Sequence, residues 1–214
     1  VPEHAAVEPA HAVEHLRAHD AVLRGVIDAV GVDGLGDRRR GRPADHYGAL
    51  VRSIVGQQLS VKAAASIYAR LIERFGGRPP TPAEVLADDP EALRAAAGLS
   101  RAKVSFLRSL AEHVTDGSLE LSALDDLPDE QVIAELVAVK GLGTWSAHMF
   151  LMFHLQRPDV LPVGDLGIRR AVMNVYGLRA LPTPAAMEAI AAPWRPHRTL
   201  ACLYLWRSLD ATPA

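Results

Sequence analysis

The sequence predicts an all-α fold of about ten short helices, and three observations lead to it. Alanine and leucine dominate an apolar content of 49%, while aromatic residues make up only 5%, a balance that favours helix over strand. Apolar residues recur at three- and four-residue spacing, and no stretch alternates with period two for long enough to build a strand. The 16 glycines and 15 prolines fall between the apolar blocks and divide them.

Taken in order, residues 11–30 read as one helix, with Val13, Leu16, Val22, Leu23, Val26, Ile27 and Val30 on its apolar face. His11, His15 and His19 repeat every four residues on it and read as an exposed face. A connection over 31–43 holds Arg38, Arg39, Arg40 and Arg42, read as a solvated loop. A helix over 47–55 stops at Gly56, and Ser60 caps the next, which Gly76 and Gly77 end. Short helices follow at 83–87 and 90–97, the latter opened by Pro90 in its first turn. Further helices are expected over 101–114, 129–139, 144–155, 166–176, 184–192 and 197–209, separated by Gly and Pro signals.

Composition excludes several function classes. A net charge of −2 is not that of a strongly basic domain, although few phosphate contacts suffice for an enzyme that must release its product. The single cysteine, Cys202, sits in an apolar run and reads as a buried small residue. It rules out a disulfide framework, a cysteine-rich zinc site and a four-cysteine iron–sulfur cluster. Residues 1–10 contain Glu3, His4 and Glu8 and do not read as a signal peptide. No apolar run is long enough for a membrane span, so a reducing cytoplasm is the expected compartment. Val1 in place of an initiator Met suggests a trimmed or processed start.

The most informative block is Lys140-Gly141-Leu142-Gly143-Thr144-Trp145 between two helices. Glycines allow positive φ, Leu142 can pack back between the helices, and the N–H groups opening the second helix favour an anion. The same spacing also fits an ordinary glycine-containing αα-turn. Downstream, Pro162-Val163-Gly164-Asp165 leads into another helix, where Asp165 by itself reads as an N-cap.

These two blocks together resemble the helix-hairpin-helix, Gly/Pro-rich, Asp superfamily of DNA glycosylases, in particular its 3-methyladenine DNA glycosylase II branch. Ile54-Val55-Gly56-Gln57-Gln58-Leu59-Ser60, Gly98-Leu99-Ser100-Arg101-Ala102-Lys103 and Trp194-Arg195-Pro196-His197-Arg198 resemble that branch as well, over residues 45 to 207. The resemblance implies two helical subdomains, residues 45–154 with the hairpin and residues 1–44 plus 155–214 with the catalytic aspartate, and an active site in the cleft between them. The roughly forty residues before Asp45 are too few for the extra β-rich N-terminal domain of some relatives. Asp165 falls at the family's essential aspartate, which would stabilise the sugar cation as the base leaves. Gly164 stands where some relatives have a second acid. Trp145 stands where lyase-type relatives place a nucleophilic lysine, which implies a monofunctional enzyme with water as nucleophile.

Trp145 and Trp206 fall at aromatic positions of the base pocket, where an indole face would attract a cationic alkylated purine; Trp206 also fits a plain core residue. Met149 stands where relatives can carry an aromatic. Gln58 or Leu59 would plug the gap left by a flipped nucleotide, and Leu59 fits the core as well. Gly141, Gly143, Thr144 and Arg169 complete the implied DNA contacts. The resemblance also implies a Na⁺ or K⁺ ion on the backbone carbonyls of Val137, Val139 and Leu142, no required cofactor and no iron–sulfur cluster. The implied partner is double-stranded DNA with alkylated bases, bound by a monomer in the cytoplasm, at the nucleoid in a bacterium. A non-catalytic DNA-binding protein, or a glycosylase for uracil, hypoxanthine or ethenoadenine, are the alternatives.

Overall fold

A computed structural model describes residues 9–31 and 43–210. The Arg38–Arg42 cluster lies outside the described residues. Among these there are twelve α-helices, two 3-10 turns at Leu121–Ala123 and Ala192–Trp194, and no strand. No helix among them is long and apolar enough to cross a membrane. The chain divides into two compact units, Val1–Arg38 with Gln156–Ala214, and Arg39–Leu155.

The first unit holds α1 (Pro9–His19), α2 (Ala21–Val30), α10 (Leu166–Val175), α11 (Pro184–Ala191) and α12 (Arg198–Asp210). The single helix expected over 11–30 is in fact two. Asp20 adopts extended backbone and its Oδ1 accepts the N–H groups of Val22 and Leu23, so it starts α2 afresh. Its Oδ2 accepts the buried Trp194 indole N–H at 2.8 Å and the Tyr176 hydroxyl, tying the break into the core. The histidine face is also not simply exposed. His15 stacks on His19 at 4.1 Å and meets the ring edge of buried His197 at 5.1 Å. Burial, with His15 adding to it, holds His197 below its ordinary pKa. Leu16, Leu23, Ile27, Val172 and Tyr204 form the centre of this core.

The second unit contains α3 (His46–Gly56), α4 (Val61–Arg74), α5 (Pro82–Ala87), α6 (Pro90–Ala97), α7 (Arg101–Thr115), α8 (Asp129–Ala138) and α9 (Thr144–Phe153). Side-chain caps start most of them: Asp45, Ser60, Thr81 in a capping box with Glu84, Asp89 and Ser100. Each such cap contributes about 1 kcal/mol. Leu50, Ile54, Leu107, Leu110, Leu136 and Leu151 are fully buried, and α3 packs against α4, α7 and α9. The helix under the hairpin is thereby fixed to the centre of the unit.

Candidate functional site

In the first unit the chemistry gathers at the start of α10. The turn Pro162–Asp165 closes through the Asp165 N–H to the Pro162 carbonyl at 2.8 Å. Asp165 is the N-cap, and its Oδ1 accepts the Ile168 N–H at 2.8 Å. The same oxygen accepts the Trp206 indole N–H at 3.0 Å. The carboxylate is 9% exposed, a degree of burial that requires such donors. Burial pushes the Cys202 thiol well up, and the nearby negative charge of Asp165 pushes it further.

Three features hold this carboxylate in place, and the sequence reading gave none of them that part. The first is Gly167. A Cβ there would stand 3.0 Å from Trp206 Nε1 and 3.1 Å from Asp165 Oδ1, tight enough that the indole or the carboxylate would have to give by a few tenths of an ångström, so glycine leaves the indole its approach unhindered. The second is the grip of α12 on the loop leading to Asp165. Arg198 donates through Nε to Asp159 Oδ1 at 2.8 Å and through Nη2 to the Asp159 carbonyl at 2.7 Å. Thr199 Oγ1 donates to the Arg157 carbonyl at 2.7 Å and accepts the Val160 N–H at 3.0 Å. The third is helical spacing. Thr199, Cys202 and Trp206 lie on one face of α12, so the residue that pins the loop and the residue that holds the aspartate act from the same stripe. The repeat was visible in the sequence, but not which loop it would meet. Arg169 is half-buried and donates through Nε to the Pro182 carbonyl at 2.9 Å.

In the second unit α8 and α9 are joined by Val139–Gly143. Gly141 has φ +92°, and a Cβ on it would lie 2.1 Å from the Phe106 ring, so both backbone and space demand glycine. Leu142 is buried, and its N–H donates to the Val139 carbonyl at 3.0 Å. Gly143 is the N-cap of α9 and offers no side-chain cap, so the positive end of the helix dipole faces out at the turn, where it favours an anion. Gln57 anchors the neighbouring turn: its Nε2 donates to the Gly141 carbonyl at 2.8 Å. Lys103, held below its ordinary pKa by burial, donates to the Val55 carbonyl at 2.7 Å and closes α3. Between these anchors Gln58 is exposed with φ +56°, a left-handed conformation costly for a residue with a Cβ, and Leu59 is 38% exposed. The turn is held at its base and strained at its tip.

Trp145, 46% exposed, opens α9. Trp145, Met149 and Phe153 repeat every four residues and line a cavity of about 580 Å³ together with Leu59, Tyr68 and His154. The Arg52 guanidinium lies 5.5 Å over the Tyr68 ring. His154 Nε2 and His46 Nδ1 are 2.7 Å apart, and His46 Nε2 meets Asp125 Oδ2 at 3.1 Å. Asp165 and Trp206 therefore meet in one unit, while Trp145, Met149 and Leu59 share a cavity in the other. Among the described residues no group of three or more His, Cys, Asp or Glu side chains is placed to hold a metal ion.

Residues 51–196 match the HhH-GPD superfamily of base excision DNA repair proteins. The chain belongs to that superfamily. Its HhH-GPD relatives include DNA-3-methyladenine glycosylase 1 of Schizosaccharomyces pombe, 35% identical over 164 residues, an alignment spanning 76% of this chain and 72% of the relative. DNA-3-methyladenine glycosylase 2 of Escherichia coli is 30% identical over 200 residues, 89% of this chain and 67% of the relative. The alignment spans 59% of a Bacillus subtilis relative that is 30% identical. Among solved structures, the S. pombe 3-methyladenine DNA glycosylase Mag1 in complex with abasic DNA superposes with a TM-score of 0.81 at 32% identity, covering 94% of this chain and 97% of that one. The all-helical architecture is thus the HhH-GPD fold.

Proposed function

We propose that the chain is a monofunctional DNA glycosylase that hydrolyses the N-glycosidic bond of alkylated purines such as 3-methyladenine and 7-methylguanine in duplex DNA, leaving an abasic site. The observation that carries this reading is the buried Asp165 carboxylate fixed by two donors on one oxygen. As the C1′–N bond breaks, its electron pair leaves with the base and the sugar becomes cationic. A fixed carboxylate stabilises that cation without reorganising, and it orients the water whose oxygen bonds to C1′ and accepts the proton that this water sheds. A base that is already positively charged becomes neutral as it departs, so strong acid catalysis is not needed. Trp145 offers an indole face to a cationic base, and as tryptophan it cannot form the Schiff base of a lyase. Alkylated duplex is accordingly the substrate, acted on where the chromosome lies.

The uncapped start of α9, with Gly141, Gly143 and Thr144, is read as the seat of a backbone phosphate, with Arg169 and the strained Gln58–Leu59 tip as further contacts. A Na⁺ or K⁺ ion on the carbonyls of Val137, Val139 and Leu142 would add fixed positive charge there. Val139 fits this role: its backbone is extended just past α8, and its carbonyl keeps a lone pair after accepting the Leu142 N–H. Replacing K⁺ by a bulky organic cation at constant ionic strength should weaken DNA binding if the ion is present.

The test of the whole reading is release of free base from methylated duplex. Wild type should release it and Asp165→Asn should be slower by about 10²–10³-fold or more. Release by neither marks a DNA-binding module without chemistry. Trapping of a covalent adduct by borohydride would overturn the monofunctional assignment.

A further inference from the structure

The second unit carries another cavity, of about 420 Å³, walled by α6, α7 and the residue that precedes the hairpin glycine. Four cationic side chains line it, Arg94, Arg101, Arg108 and Lys140, against two carboxylates, Glu91 and Glu112. Four minus two leaves a local excess of two positive charges in a chain whose net charge is −2.

The charges are not evenly matched. Glu91 alone serves both Arg94, at 2.7 Å, and Arg101, at 3.4 Å. Arg108 turns Nη1 onto the carbonyls of Val85, Leu86 and Asp88 at the end of α5. Lys140 Nζ donates to Ser105 Oγ at 3.1 Å. Among the described residues neither Arg108 nor Lys140 is in an ion pair. Neutral acceptors hold both cationic heads in place without cancelling their charge. An arriving anion would therefore meet positive charge that is already immobilised, at a low entropic cost.

Position supplies the ligand. Lys140 directly precedes Gly141 and stands four residues before Thr144, within about 14 Å along even a fully extended chain. Duplex DNA places one charge about every 1.7 Å of its axis. A duplex with one phosphate on the start of α9 has others within reach of this cavity. We propose that the α6–α7 cavity binds phosphodiester groups of the same duplex, as an extension of the hairpin contact. The proposal rests on DNA being the partner.

The experiment is a salt titration of affinity for an abasic duplex, read by fluorescence anisotropy, for wild type and the Arg101→Gln/Lys140→Gln variant. Both side chains are exposed, so the fold should survive, and a melting curve verifies this. Each lost phosphate contact lowers the slope of log K against log[KCl] by about 0.9. Between 50 and 200 mM KCl the wild-type affinity should then fall about 12-fold more than that of the double variant. Glu112→Gln should act in the opposite direction and raise affinity, which damage to the fold would not do. An unchanged slope in the double variant overturns the proposal. So does an unchanged slope accompanied by a thermal shift with inorganic phosphate, or with an acidic peptide, that the double variant loses. A wild type with no salt-dependent affinity sinks the DNA reading itself and is recognised before any variant is made.

Discussion

Trp206→Phe separates two roles that one side chain could play. If Trp206 acts by its aromatic face, phenylalanine keeps most of that face and the variant stays active. If it acts by its N–H, phenylalanine keeps the shape and loses the bond to Asp165. The structure favours the second role, because the indole nitrogen lies 3.0 Å from Asp165 Oδ1 and Gly167 leaves it the space to do so. A hydrogen bond to a charged group contributes about 1.5–3 kcal/mol. The Ile168 N–H remains on the same oxygen, so the lower end applies, and about 1.5 kcal/mol corresponds to roughly a tenfold slower reaction. The assay is single-turnover release of 3-methyladenine, with the affinity for an abasic duplex measured beside it. The rate should fall about tenfold at unchanged affinity, and Trp206→Leu should be no better than the phenylalanine variant. A phenylalanine variant with the wild-type rate refutes the positioning role, and one with weakened binding but normal chemistry returns Trp206 to stacking.

Gly141→Ala must accept both φ +92° and a Cβ 2.1 Å from the Phe106 ring, so unfolding in urea should show a loss of about 3 kcal/mol or more, partly recovered in a Phe106→Ala background. Gln58→Gly relieves the positive φ of an exposed tip; it should stabilise the protein by about 0.5–1 kcal/mol while slowing base release, and a variant both more stable and fully active would remove Gln58 from the flipping step. Among the described residues the buried Tyr47 hydroxyl has no hydrogen-bond partner, so Tyr47→Phe should raise the melting temperature by about 2–4 °C, and a decrease would reveal a partner for that hydroxyl.

How much of this was legible in the sequence depends on whether a signal was local. The hairpin could be read because two glycines around one leucine encode a tight turn by themselves, and Ser60 and Pro90 marked helix starts for the same reason. The break at Asp20 was missed because hydrophobic periodicity runs straight through it. An aspartate inside an apolar pattern looks like a solvent-facing residue until Trp194 and Tyr176, more than 150 positions away, are seen to hold it. Asp159, Arg198 and Thr199 carried no spacing of their own for the same reason. They act across about forty residues of chain, and a single sequence contains nothing that pairs them. Gly167 left a faint trace, a glycine two residues past an N-cap in the first turn of a helix, where alanine would be the better helix former.

Asp165 shows why two readings of one residue need not exclude each other. Oδ1 caps α10 through the Ile168 N–H and takes the Trp206 N–H as well, so the cap is part of what fixes the orientation of the carboxylate. Orientation and charge can be separated, because asparagine caps a helix about as well as aspartate whereas alanine does not. Asp165→Asn should therefore keep wild-type stability in urea and lose base release, while Asp165→Ala should lose base release and about 1 kcal/mol of stability besides. If asparagine proves as destabilising as alanine, the loss of activity reports a damaged fold rather than a missing charge. If asparagine is stable and still releases base at the wild-type rate, the carboxylate is a cap and nothing more, and the chemistry must be sought elsewhere in the chain.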